Sequence, residues 1–448
     1  MHASPPPDLV LLNARLADGA ELVDIHLGGG LIRSIGTRPP GPPGPPPGPA
    51  ASGPPPAGAG PDAERLDRAE RLDCAGRVVI PGLIESHLHL DKALLDRERP
   101  NPDGTLAGAI AVTGTLKRAF TAKDVRDRAR AVLDDAVANG TTLVRAHPDV
   151  DPIVGLLALD VMLELREEYR GVVDLQVVAF PQEGVLRAEG TLDLLREALR
   201  RGADVIGGCT YNEDDLTDCR RQVDLVLDLA VEFGVPADLH ADFADDAADP
   251  RFAMAGYIAE AVTERGLGGR VALGHMTSLA GRPAPERGEV LAALAAAGVA
   301  VVPLPATDMH LNGRADTVNP RRGVAPVREL WAAGVTCAYS SNNVRNAFTP
   351  YGNADLLEVG LFLAQTGHLS GPDDLARVLA MATTGAARVV GIADRYGLRP
   401  GAAADLVVLD THNVRDVLLD RPARTAVIKG GRIVARSTRS TDLLFRTS

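Results

Sequence analysis

The stretch Val78-Val79-Ile80-Pro81-Gly82-Leu83-Ile84-Glu85-Ser86-His87-Leu88-His89 is an apolar run that ends in two histidines one residue apart. Side chains at i and i+2 of an extended strand point to the same face, so both imidazoles converge on one point. Imidazole pairs of this kind at the mouth of a buried strand are suited to hold zinc or iron. The apolar run reads as that buried strand, Val78–Ile84, and the polar Asp91-Lys92 marks where it leaves the core.

Outward from this strand, apolar β-like runs alternate with amphipathic helical patterns. The strand candidates are 78–84, 142–145, 173–180, 204–208, 235–239, 270–274, 299–303 and 335–339. Helical periodicity falls at 121–139, 152–169, 192–201, 215–233, 250–265, 287–297 and 327–333. This alternation predicts an α/β fold, a (β/α)8 TIM-type barrel, in preference to a doubly wound open sheet. A further helix is expected over 372–390. Short alternating strands near both termini predict one small β-domain assembled from both ends. The expected boundaries are 1–76 and 396–448 for that β-domain and 77–395 for the barrel. Residues 38–62, almost wholly Pro, Gly and Ala, read as a disordered or polyproline insertion without a catalytic role.

Composition narrows the function. The net charge of −12 argues against nucleic-acid and anionic-membrane partners. The four cysteines have no CxxC spacing, which predicts free thiols in a reducing compartment. No export signal and no membrane-spanning apolar run is visible, so a cytoplasmic location is expected. The expected partner is a small-molecule substrate, with a homo-oligomer left open.

In a barrel of this type function sits on the loops after the strands. Six of the ten histidines fall there: His87, His89, His147, His240, His275 and His310. Gln182, Glu183, Tyr211, Asp242, Asp308, Asn342 and Asn343 share those positions.

These residues lie in segments that resemble the amidohydrolase superfamily, in its cytosine deaminase branch. They are Pro81–Lys92, Val144-Arg145-Ala146-His147, Asp174–Gly184 with its Phe180-Pro181-Gln182-Glu183-Gly184, and Asp238-Leu239-His240-Ala241-Asp242. Gly274-His275, His310-Leu311-Asn312-Gly313-Arg314, Ser340-Ser341-Asn342-Asn343 and Pro350-Tyr351-Gly352 complete the set. The resemblance implies one divalent metal, zinc or iron, held by His87, His89 and His240, with an aspartate from strand eight as a further ligand. It also implies that His275 and Gln182 face the substrate, and that a glutamate three residues after the strand-five histidine shuttles protons.

Two positions depart from this pattern. Asn342-Asn343 stands where the strand-eight aspartates belong, and Phe243 stands where the glutamate belongs. Asparagine is neutral and phenylalanine carries no proton. Three neutral histidines still leave a metal able to activate water and polarise a carbonyl or amidine. The proton donor must then come from elsewhere, with His275 and Asp242 as the catalytic candidates. Asp91 and Lys92 are weaker ones, Lys92 reading as a solvated or salt-bridged side chain. For Asp242 a hydrogen bond that orients a ligand histidine is the alternative. Gln182, His147, Phe243, Asn342 and Asn343 are expected to contact substrate. The expected activity is hydrolysis of a non-peptide C–N bond in a small polar, nitrogen-heterocyclic compound other than cytosine. A lyase, isomerase or cyclase on the same site, or a binding protein without catalysis, remains the alternative.

Overall fold

The computed structural model describes residues 9–16, 21–37, 69–371 and 373–445. The Pro-rich 38–62 tract lies outside them. The chain divides into two compact units, Met1–Gly82 with Asp394–Ser448, and Leu83–Ala393.

The first unit contains β1 (Leu9–Leu16), β2 (Leu22–Gly28), β3 (Leu31–Thr37), β4 (Glu70–Asp73) and β5 (Val78–Pro81). The second contains β6 (Leu83–Leu88), β7 (Thr141–Ala146), β8 (Asp174–Ala179), β9 (Val205–Cys209), β10 (Ala237–Ala241), β11 (Val271–His275) and β12 (Ala300–Val302). The chain then returns to the first unit with β13 (Leu406–Leu409), β14 (Arg424–Lys429) and β15 (Arg432–Ala435).

In the first unit the strands form one sheet in the order β15-β14-β13-β5-β1-β2-β3, with β4 added beside β1. Alternate residues of each strand, among them Leu9, Leu11, Ile25, Leu27, Leu406 and Val408, meet in a single apolar core. That pattern follows from the period of two along a pleated strand. Gly29-Gly30 turns β2 into β3 with φ of 61° and 79°, a conformation that suits glycine.

The expected strand 78–84 is two strands. Val78–Pro81 pairs antiparallel with β13 in the small sheet, and Leu83–Leu88 is the first barrel strand. The pairing with the small sheet runs on through Gly82, whose N–H donates to Asp405 O at 2.9 Å, before Leu83 N–H turns to Gly140 O at 2.9 Å in the barrel.

The second unit is a parallel sheet in the order β12-β11-β10-β9-β8-β7-β6. Its strands are buried along their length except at Asp174 and Gln176 of β8, and helices lie between them in the chain. The helix Ala122–Ala138 is one of them: Val125, Ala129, Val132, Leu133 and Ala136 recur at helical spacing and are buried, and Thr121 caps it by accepting from Asp124 N.

The expected eighth strand, 335–339, is not a regular strand. It is nevertheless the stave that closes the barrel. Val301 N donates to Thr336 O at 2.9 Å and Ala338 N to Val301 O at 3.1 Å, while Asn342 N donates to His87 O at 3.0 Å and His89 N to Asn342 O at 2.8 Å. Between these contacts side chains replace the backbone ladder. Ser340 Oγ accepts from His87 N, and the Glu85 carboxylate takes Ser340 Oγ, Ser341 N and Ser341 Oγ. The expected helix 372–390 is likewise two helices, Asp374–Met381 and Thr384–Val389. Thr383 Oγ1 donates back to Leu379 O at the break.

Burial pushes the Glu85 carboxyl up to about 6, against the opposing hydrogen bonds from Ser340 and Ser341. A carboxyl raised on folding binds more protons folded than unfolded between about pH 4.5 and 6, so stability falls as pH rises through that window. Relative to wild type, Glu85→Gln is therefore expected to gain about 2 kcal/mol between pH 4.5 and pH 7. Urea unfolding at the two pH values checks it.

Candidate metal centre and active site

β6 ends at Leu88 and β10 at Ala241, so His87, His89 and His240 lie at the C-terminal ends of two strands separated by β7, β8 and β9. Their Nε2 atoms converge: His240 Nε2 lies 3.1 Å from His87 Nε2 and 3.1 Å from His89 Nε2. Gly274 makes room for this. A Cβ there would sit 3.1 Å from His87 Cε1. Burial holds the His87 imidazole down at about 3, and burial holds His89 and His240 well below the ordinary histidine range. The rings are thus neutral and offer lone pairs, the state a metal requires.

His89 is oriented by His147 O, 3.0 Å from its Nδ1. His87 is oriented by Asp238, whose Oδ1 lies 3.3 Å from His87 Nδ1 and 3.3 Å from His147 Nε2. The other Asp238 oxygen accepts from Arg145 Nη1 at 2.9 Å, with both side chains buried. His87, His147 and Asp238 are also close enough to form a second ligand group. There the Arg145 guanidinium already supplies the positive charge, and the three groups form an orienting shell behind His87.

His87, His89 and His240 also fit a metal by what is left over. Asn342 Oδ1 is buried with no hydrogen-bond partner, in a residue that lines the same pocket. The donor set of three neutral imidazoles and a free amide oxygen suits zinc or iron.

A small pocket lies above the histidines. His275, Gln182, Lys92, Asn342 and Asn343 form its polar lining, and Phe243 is among its apolar residues. Asp308 Oδ1 lies 2.6 Å from His275 Nδ1, and its other oxygen accepts from Leu304 N. Burial raises the Asp308 carboxyl above its usual range and His275 opposes the rise. Phe243 lies flat on the other side of His275, with ring centroids 4.0 Å apart and planes at 22°.

Two sequence expectations take a different place. His147, expected against substrate, stands behind His87, stacked on it at 3.8 Å, and does not line the pocket. Asp242, expected to be catalytic, is turned away from the pocket. Its two oxygens accept from Met254 N and Ala255 N, at the start of the helix Ala255–Glu264. Its positive φ of 51° redirects the chain after His240, so the period-two extrapolation from that residue fails. Burial raises its carboxyl to about 6.

Sequence reading underused two residues. Asp238 was legible by the same period-two rule, two residues before His240. Lys92, read as a solvated or salt-bridged side chain, is salt-bridged but buried. Its ammonium donates to Asp149 Oδ1 at 2.6 Å and Gln182 Oε1 at 3.1 Å. A short 3-10 turn, Leu90–Lys92, swings it inward, and no periodicity signals that.

Residues 70–435 match the amidohydrolase family. The chain belongs to that family. It is similar to pterin deaminase of Rhizobium rhizogenes, with 33% identity over 371 residues covering 82% of this chain and 83% of the relative. The structure of 5-methylcytosine deaminase from Klebsiella pneumoniae superposes with a TM-score of 0.86 at 29% identity, covering 98% of this chain and all (100%) of the other. That of N-isopropylammelide isopropylaminohydrolase from Burkholderia multivorans superposes at 0.77 with 32% identity, over 96% and 99% of the two chains.

Two substitutions probe the metal centre of this amidohydrolase. Arg145→Met leaves the buried Asp238 without its cation, and is expected to cost about 3–5 kcal/mol of stability and about 10–100-fold in metal affinity. Thermal unfolding and metal titration check the two values. Asp242→Ala is expected to lower stability by about 1–2 kcal/mol through loss of its two backbone hydrogen bonds while retaining most of kcat. A loss of kcat with the fold intact would restore Asp242 to the catalytic set.

Proposed function

We propose that this amidohydrolase uses one divalent ion, zinc or iron, to hydrolyse a non-peptide C–N bond of a small nitrogen heterocycle. The observation that carries this reading is the convergence of three neutral histidine Nε2 atoms beneath a pocket whose polar lining holds His275, Lys92 and Gln182. The similar proteins named above are support, since each by its name acts on a heterocyclic compound.

His87, His89 and His240 would hold the ion, which when bound supplies Lewis-acid activation of water and of the substrate's C=N or C=O group. The Asp308 carboxylate fixes His275 with its proton on Nδ1 and its lone pair on Nε2. Nε2 can therefore take a proton from the attacking water and return it to the departing nitrogen, the work that Phe243 cannot do. Gln182 and Lys92 read the polar edge of the ring. Asn342 contributes its unpartnered oxygen to the ion or the substrate, and Asn343 holds the rim through Asn346.

Among the described residues, no helix is long and apolar enough to cross a membrane. All four cysteines are buried free thiols, which supports action in a reducing, cytoplasmic setting.

The test is elemental analysis of the purified protein, then a screen of aminated pyrimidines, pterins and triazines for ammonia or amine release. About one equivalent of metal with turnover is expected. His240→Ala should lose both the metal and the activity. One equivalent of metal with no C–N cleavage on any such compound would overturn the hydrolase reading and favour a different reaction at the same centre.

A further inference from the structure

The three histidines of the metal centre are not held alike. His89 Nδ1 faces His147 O at 3.0 Å, and His87 Nδ1 faces Asp238 Oδ1 at 3.3 Å. An oxygen behind Nδ1 fixes the plane of an imidazole and aims its Nε2 forward. His240 has no such support: its Nδ1 is buried, with no hydrogen-bond partner among the described residues. The torsion that turns a histidine ring is broad, so only packing can set the plane of this one.

The packing is supplied by Phe180. Its ring lies against that of His240 with centroids 4.3 Å apart and planes at 34°. The same phenyl ring meets His89 at 5.1 Å and 62°, and the Lys92 ammonium stands 5.4 Å from its centroid. Phe180 is itself firmly placed. It is fully buried, in a cluster with Val178, Val205 and Cys209. Its carbonyl accepts from Val150 N at 2.8 Å and its N–H donates to Pro148 O at 3.3 Å, which ties it to the chain just after β7. On β9, Gly207 lets the backbones close in, since a Cβ there would lie 3.0 Å from Phe180 Cα. Phe180 does not line the pocket, so it reaches the site through the side chains it touches.

From these contacts we infer that Phe180 is the positioning residue for His240. Its flat face sets the plane of that imidazole, the task that an oxygen behind Nδ1 performs for His87 and His89. His240 Nε2 is thereby aimed at the point where it meets His87 Nε2 and His89 Nε2. An aliphatic side chain would fill much of the same volume but has no flat face, and would leave the imidazole a wider range of angles. This rests on the reading of His87, His89 and His240 as ligands of one ion, and not on the reaction that the ion supports.

The test uses Phe180→Met, which keeps the position apolar and filled, and Val178→Ala, which loosens the same cluster but leaves the phenyl ring in place. Zinc affinity is measured by competition with a chelator, and ligand geometry by the absorption bands of the cobalt(II)-loaded protein. Thermal unfolding of the metal-free proteins gives the general cost of each change. Phe180→Met is expected to lower zinc affinity about 10–100-fold, as loss of an orienting partner does, and to shift the cobalt bands. Val178→Ala should lower thermal stability and keep the wild-type affinity and bands. If Phe180→Met does not fold, Phe180→Leu takes its place. Unchanged affinity and bands without the phenyl ring, or equal losses of affinity in the two variants, overturn the inference and leave the metal centre standing. Failure of the wild-type protein to bind zinc or cobalt overturns both.

Discussion

A single buried carboxylate, that of Asp238, holds the centre of the barrel together. One oxygen faces His87 and His147 and the other accepts from the Arg145 guanidinium, all of them out of contact with water. A carboxylate cannot be buried alone, since desolvation would protonate it or expel it. Burial pushes the Asp238 carboxyl up, but His147 and then His87 hold it well below its usual range. With Asp238 charged and fixed, His87 has its ring orientation set from behind, and its Nε2 is aimed at those of His89 and His240. The metal-binding group depends on this arrangement, and the arrangement depends on strands β6, β7 and β10 facing the same interior from separate positions in one sheet.

The same economy of buried charge appears next to the pocket. Lys92 and Lys117 are both buried, and Asp149 lies between them, with Asp151 and Glu183 completing the neutralisation of Lys117. One end of this chain of ion pairs is Lys92 in the pocket wall, beside Gln182. A cation so placed is held rigidly, and its remaining hydrogen-bonding capacity is directed by protein rather than by solvent. The Phe243 ring, by contrast, spreads apolar surface over His275. The pocket therefore presents charge and amide groups together with carbon, and its chemistry is set by both.

Closure of the barrel shows how a functional rim is built where regular structure gives out. The segment 335–342 bonds to β12 at one end and to β6 at the other, but Ser340, Ser341 and Glu85 carry the middle through side chains. Asn342 follows at a positive φ of 60°, so its backbone ties His87 and His89 while its amide oxygen remains free in the pocket. A regular strand would have aimed that side chain by simple alternation. The irregular one aims it by the bonds of its neighbours.

The amino-acid sequence alone determined the alternation of strands and helices, the small β-domain drawn from both ends, and the histidines that gather at the strand ends. These follow from periodicity and residue type, which are local properties. The absence of a carboxylate at position 243 was equally plain. Only the tertiary structure decided that Asp242 faces away and Asp238 faces in, that His147 stands behind His87, and that Lys92 is buried. It also decided that residues 335–339 close the barrel without forming a strand. Those outcomes depend on which groups from distant strands fill the same small volume, and on whether each buried charge finds a partner there. Spacing along one strand says which face a residue takes, but the partner that fixes its role comes from across the barrel.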